Sequence, residues 1–158
     1  MTQPQTADTG TATENSGRRR IIEALAKAEQ SLLEDSWTGI DAKPAYAAVR
    51  GPESGLVMIR GRIGGGGAPF NLGEATVSRA TVRLESGEVG FGQTLGLAPR
   101  KAELAALFDA LAQRPEHAER VAELVAAIEA GVAEADAEHA KRTAATRVDF
   151  FAMVRGED

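Results

Sequence analysis

The sequence predicts an α+β fold in a single domain: an antiparallel sheet of about four strands packed with one N-terminal helix and two C-terminal helices. Period-two apolar alternation is concentrated between residues 45 and 97, and helical apolar spacing lies on either side of it. The 158 residues, 43% of them hydrophobic, suffice for one buried core and do not call for a second domain.

Taken in order, the first 17 residues are rich in Thr, Gln, Ala and Gly and lack the apolar content to order themselves. They are read as a disordered leader, with the domain over 18–158. Ile21, Ile22, Leu25, Ala28, Leu32 and Leu33 then follow helical spacing, which predicts an amphipathic helix from Arg18 to about Glu34. Arg18, Arg19 and Arg20 stand at the end of that helix where the dipole disfavours cations. Two readings stay open for them: a solvated cluster tolerated through screening, or contact with an anionic partner. Trp37, the only tryptophan, falls in the connection 35–39 and is expected to fold back onto the core.

Pro44 opens a short strand, Ala45 to Arg50, and Gly51-Pro52-Glu53-Ser54-Gly55 is expected to turn it into the next. Leu56 to Ile63 alternates as a half-buried strand does, with Val57, Ile59 and Ile63 on one face and Arg60 and Arg62 on the other. Ala75 to Leu84 and Val89 to Leu97 complete the sheet, joined by a Ser86-Gly87 hairpin. Val77 has the opposite parity to Ala80, Val82 and Leu84, so holding all four on the core face calls for a β-bulge near Ser78-Arg79. Arg79 and Arg83 then point off the core face and are candidate partner contacts. In the last strand Val89, Phe91, Leu95 and Leu97 share a face, while Gly90, Gly92, Thr94 and Gly96 leave the other almost free of side chains. Such a face predicts the close approach of another backbone, from the chain's own helix or from another protein.

The run Gly64-Gly65-Gly66-Gly67 admits three roles: a flexible strand connection, a contact loop against a partner, or an anion-binding concavity of backbone N–H groups. A Walker-type loop would continue with Lys and Ser/Thr where Ala68-Pro69-Phe70 stands, and the dinucleotide fingerprint requires a helix at that point. Beyond the sheet, Pro99 suits an early helical position, and Leu104, Leu107, Phe108 and Leu111 form a stripe for a helix that covers the sheet. Val121, Leu124, Val125, Ile128 and Val132 define a third helix that runs on to about Ala145. Its later turns offer only alanines, so its far half is expected to be solvated or held by another subunit.

No catalytic set can be assembled from these residues. His117 and His139 are 22 positions apart with no metal-ligand spacing and are expected to be solvent-exposed, and Glu103 and Asp109 do not stack on one helical face. The absence of cysteine removes disulfides, Cys-ligated zinc, Cys-bound iron–sulfur clusters and thiol nucleophiles together. No segment resembles a secretory signal or approaches the length of a membrane span, which leads to the expectation of a cytoplasmic protein. Charge is unevenly spread. Seven basic residues face four acidic ones between Pro44 and Lys101, and two face nine between Ala102 and His139. The acidic helical half argues against nucleic acid, and the basic sheet leaves room for a phosphorylated ligand or an acidic protein surface.

The C-terminal stretch is the strongest remaining signal. Phe150, Phe151 and Met153, with Val148 and Val154, are flanked by Arg147, Asp149 and Arg155. Chain ends usually fray, so this apolar density predicts docking, either on the domain's own sheet or on a partner, with the three charged residues fixing orientation.

These segments also carry a resemblance. Gly55-Leu56-Val57, Arg62-Ile63 with the glycine run, Gly73 to Leu84 and the ending Arg147-Val148-Asp149-Phe150-Phe151-Ala152-Met153-Val154-Arg155-Gly156 resemble the PhnG family of the phosphonate C–P lyase system from about Arg19 onward. The Thr/Gln-rich leader departs from it. The resemblance implies membership of a multi-subunit core complex with PhnI-, PhnH- and PhnJ-type subunits. In that system a PhnI-type subunit is thought to displace adenine from ATP with a phosphonate, giving a ribose 1-phosphonate 5-triphosphate, with PhnG-, PhnH- and PhnL-type proteins required. A later radical step uses S-adenosylmethionine and an iron–sulfur cluster on the PhnJ-type subunit. This chain, without cysteine, is expected to hold no cofactor and to organise the complex rather than catalyse alone. The alternative is an independent module that binds a phosphorylated small molecule.

Overall fold

The chain runs as α1 (Thr9–Lys27), α2 (Gln30–Thr38), β1 (Tyr46–Gly61), β2 (Phe70–Leu84), β3 (Val89–Leu95), α3 (Pro99–Ala112) and α4 (Pro115–Ala145). The computed structural model describes residues 9–62 and 66–146. The strands form one antiparallel sheet in the order β1-β2-β3.

Pro99 stands in the first turn of α3, where a missing N–H costs nothing. Every residue from Leu104 to Leu111 is buried, so α3 is the central helix of the core and is covered on all sides. The glycine face of β3 explains how it gets there. A Cβ built on Gly90 would stand 1.9 Å from the Ala106 carbonyl oxygen, and one on Gly92 would stand 1.9 Å from that of Ala102. The close-approaching backbone is therefore the chain's own helix, which turns its alanine face, rather than its leucine stripe, to the sheet. Phe108 looks the other way, its ring edge-on to Trp37 at 6.4 Å. Around α3 the core is completed by Ala24 and Leu25 of α1, Leu33 of α2, Ala80, Val82 and Leu84 of β2, and Val121, Leu124, Val125 and Ile128 of α4.

Several expectations need correction. The first helix starts at Thr9, within the stretch read as leader, and it breaks at Ala28-Glu29 into α1 and α2. Glu29 is extended (φ −70°, ψ 139°), which ends the helical run and redirects the chain. Trp37 packs on the core as expected, but from α2 rather than from a connection. The predicted turn at 51–55 lies inside β1, so the described residues hold three strands where about four were expected. The surplus residue is also on the other strand. β2 pairs with β3 without a shift from Val77 to Arg83, whereas the β1–β2 register shifts between Ala48 and Arg50 and between Arg50 and Glu53. Ala80, Val82 and Leu84 share the core face with Ser78, and Val77 is buried on the reverse.

The Ser86-Gly87 hairpin forms as read, with Gly87 at φ +111° where a side chain would be strained. α4 matches its predicted extent, and its far half beyond Val132 is exposed. His139 is exposed as expected, whereas His117 is half-buried.

Candidate interaction surface

β3 reaches along β2 only from Val77 to Arg83, whereas β1 follows β2 out to Phe70. Beyond Gly55 and Val77 the sheet is thus a two-stranded arm. The register decides which side chains share a face, because residues directly opposite one another point the same way. Leu56 and Met58 lie across from Thr76 and Glu74, continuing the core-side face of Ser78 and Ala80; Val57 and Ile59 lie on the reverse. Leu56, Val57, Met58, Ile59, Phe70 and Leu72 are between 39% and 64% exposed, so the expected half-buried strand is instead apolar on both faces and covered on neither. The reverse face extends to Phe91 and to Leu95, which is 77% exposed.

The arm is fixed firmly at its base. Ser78 Oγ donates to Gly96 O (2.8 Å) and accepts from Ala98 N–H (2.8 Å), and Ser54 Oγ lies 2.7 Å away. A hydroxyl has one proton, already given to Gly96, so Ser54 is the donor in the serine pair. One buried oxygen therefore ties β1, β2 and the entry to α3 together. Arg79 Nε donates to Glu53 Oε1 at 2.7 Å across the strands, and Arg50 approaches the same carboxylate at 3.5 Å. Arg79 is thus exposed but ion-paired within the sheet. Arg83, between Ala47 and Val89 in the ladder, is exposed. The remaining predicted contact residues, Arg147, Asp149, Phe150, Phe151, Met153 and Arg155, lie outside the described residues, as do Ile63, Gly64 and Gly65.

A second polar constellation seals the opposite side. Asp109, fully buried on α3, accepts from Arg18 Nε (3.0 Å), Arg18 Nη2 (2.8 Å) and Phe91 N–H (2.9 Å). Arg18 Nη2 also donates to Val89 O (2.8 Å), Gln113 Nε2 donates to the same oxygen (2.9 Å), and the guanidinium lies 5.5 Å from the Phe91 ring centroid. Hydrogen bonding to Asp109 raises the Arg18 pKa, partly opposed by burial. The arginine triplet is therefore neither merely solvated nor reserved for an outside anion. Arg18 binds α3 and β3, Arg19 pairs with Glu23 at i+4, and Arg20 makes a two-pronged pair with Glu129 of α4 (2.7 and 2.5 Å). Sequence reading missed Asp109 as a structural anchor because its partners are 91 and 18 residues away; a carboxylate within an apolar helix stripe was the available signal.

Tyr46, the only tyrosine, closes the inner end of β1. Its hydroxyl donates to Glu103 Oε1 (3.1 Å), Arg100 Nη1 donates to Glu103 Oε2 (2.6 Å), and its ring meets Trp37 edge-on. Burial, then the bond to Glu103, raise the phenol pKa above 10.0, with Arg100 opposing. Among the described residues no group of His, Asp or Glu side chains is placed to hold a metal ion, and no helix is long and apolar enough to cross a membrane.

Fold and surface together define a small α+β protein whose conspicuous external feature is an uncovered apolar sheet arm, the geometry of a component that packs against something larger. The family model "Phosphonate metabolism protein PhnG" matches residues 16–156, and the chain belongs to the PhnG family. It is 58% identical over 141 residues, 89% of this chain and 90% of the relative, to the alpha-D-ribose 1-methylphosphonate 5-triphosphate synthase subunit PhnG of Rhizobium meliloti (strain 1021).

Proposed function

We propose that this chain is a subunit of a complex that makes alpha-D-ribose 1-methylphosphonate 5-triphosphate, organising the catalytic partner rather than performing the chemistry alone. The observation that carries this is the arm. Six large apolar side chains stand on two strands with water on both faces, an arrangement an isolated ribbon does not sustain without a covering surface. The family and the named relative support the subunit role; in this reading PhnI-, PhnH- and PhnJ-type subunits are the partners, and the arm, Arg79, Arg83 and the terminal residues Arg147, Asp149, Phe150, Phe151, Met153 and Arg155 are the interface. ATP is a substrate of the assembly, and the iron–sulfur cluster and S-adenosylmethionine of the later step belong to another subunit.

The test is co-expression with a PhnI-type subunit. The pair is expected to co-purify and to release adenine from ATP with a phosphonate when the other required proteins are added, and this chain alone is expected to release none. Replacing Leu56, Ile59 and Leu72 by Ser should remove co-purification while leaving the thermal midpoint of the isolated chain within a few degrees, since exposed substitutions away from special features change stability by about 0.5 kcal/mol or less each. Turnover by the isolated chain that survives repurification, or undiminished co-purification of the triple variant, would overturn the proposal.

A further inference from the structure

We infer that the outer edge of β1 from Ser54 to Met58 is a strand-addition site, taken in the assembly by an extended segment of a partner subunit. The inference rests on the subunit reading above and specifies how the arm is covered.

The ladder identifies the free groups. Gly96 N–H donates to Thr76 O, Leu84 N–H donates to Glu88 O, and Phe91 N–H turns away from β2 to Asp109. With Thr81 opposite Phe91 and Ala80 opposite Gly92, even-numbered residues of β2 bond to β3, and odd-numbered ones bond to β1. The Glu85 N–H bond to Ala45 O follows the same rule. The β1 partners of Arg79, Val77, Ala75 and Gly73 are Glu53, Gly55, Val57 and Ile59, which therefore bond inward. Ser54, Leu56 and Met58 direct their N–H and C=O groups outward.

Proteins blunt such edges with proline, lysine or bulges. Of the three register shifts between β1 and β2, two lie with Pro52 before Glu53 and the third falls beyond Ile59; from Glu53 to Ile59 the pairing is regular and the segment has neither proline nor lysine. β3's edge is treated differently, with Val89 O and Phe91 N–H already occupied by Arg18, Gln113 and Asp109. A regular ladder left unpaired among the described residues and flanked by apolar side chains specifies the chemistry of its occupant: an extended strand, apolar in alternate positions. Charge adds one requirement. Among the described residues of the arm beyond Gly55 and Val77, Arg60 and Arg62 are opposed by Glu74 alone, so the added strand carries a carboxylate toward that end.

Amide exchange of the wild-type chain, free and co-purified with a PhnI-type subunit, tests this directly. Ser54, Leu56 and Met58 amides are expected to exchange at least roughly tenfold more slowly in the complex, while Val57 and Ile59, already bonded to β2, change less. Met58→Pro, which removes an outward N–H but no inner ladder bond, should abolish co-purification, and Met58→Ala should weaken it far less. If Met58→Pro does not fold, the exchange measurement decides alone. Unchanged exchange of the three amides in an assembled complex overturns the edge site while leaving the subunit reading intact. Failure of the wild type to assemble overturns the subunit reading and this inference together. Protection in the free chain that rises with concentration and that an added PhnI-type subunit does not displace, the copies staying paired, would make a second copy the occupant and overturn the partner assignment.

Discussion

Asp109 shows how much one side chain can be asked to hold. It is fully buried, and its two oxygens satisfy the guanidinium of Arg18 and a strand-edge N–H at once. Asp109→Ala strands both donors, and breaking a buried ion pair by removing one partner costs about 3–5 kcal/mol; urea unfolding of the isolated chain is expected to show a loss near the lower figure, since Arg18 remains one-third exposed. Tyr46 offers an optical reading of the same principle. As the only tyrosine, its phenolate absorbance reports one group, and its titration midpoint is expected above 10.0, falling when Glu103→Ala removes the acceptor. The sign follows from a raised folded-state pKa: the neutral phenol is favoured by folding, so its contribution is complete below the unfolded value and is lost as pH rises through the folded one.

At the level of elements, α3 and β3 illustrate what the sequence discloses. Gly90 and Gly92 at alternate positions announced a backbone in contact, and Ala102, Ala106 and Ala110 at i, i+4 and i+8 provide it. Gly90→Ala or Gly92→Ala must push α3 off the sheet, because the obstructing atoms are backbone; a loss of about 1–3 kcal/mol or more is expected by denaturant melt. Gly61→Ala meets only the mobile end of Leu72 and should be close to neutral on the same assay. The helix boundaries at Pro99 and Pro115 were legible because proline acts locally. The continuity of β1 was not. Gly51 and Pro52 read as a turn, yet they fall in the irregular stretch between Arg50 and Glu53, where neither has a partner in the ladder and β2 supplies the pairing on both sides. The exposure of the arm was equally invisible, since alternation reports which side chains share a face and says nothing about whether that face is covered.

For the whole molecule, the separation of core from arm is the governing feature. No described residue between Leu56 and Leu72 belongs to the buried cluster. Replacing Leu56–Thr76 by a two-residue Asn-Gly hairpin turn, which leaves the paired residues Gly55 and Val77 flanking it, should therefore leave a chain that melts cooperatively within a few degrees of the parent and yet fails to co-purify with its partners, as a melt and a pull-down on one preparation would reveal. A large drop in the melting midpoint would mean that the arm supports the core. The different treatment of the two sheet edges has a consequence for growth. With the start of β3 occupied by Arg18, Gln113 and Asp109, the regular ladder open to pairing among the described residues lies on the β1 side. Copies meeting without their partner can then pair β1 to β1, a contact that is complete once made, so any self-association of free chain should stop at dimers in light scattering, which the partner displaces, and not run on into fibres.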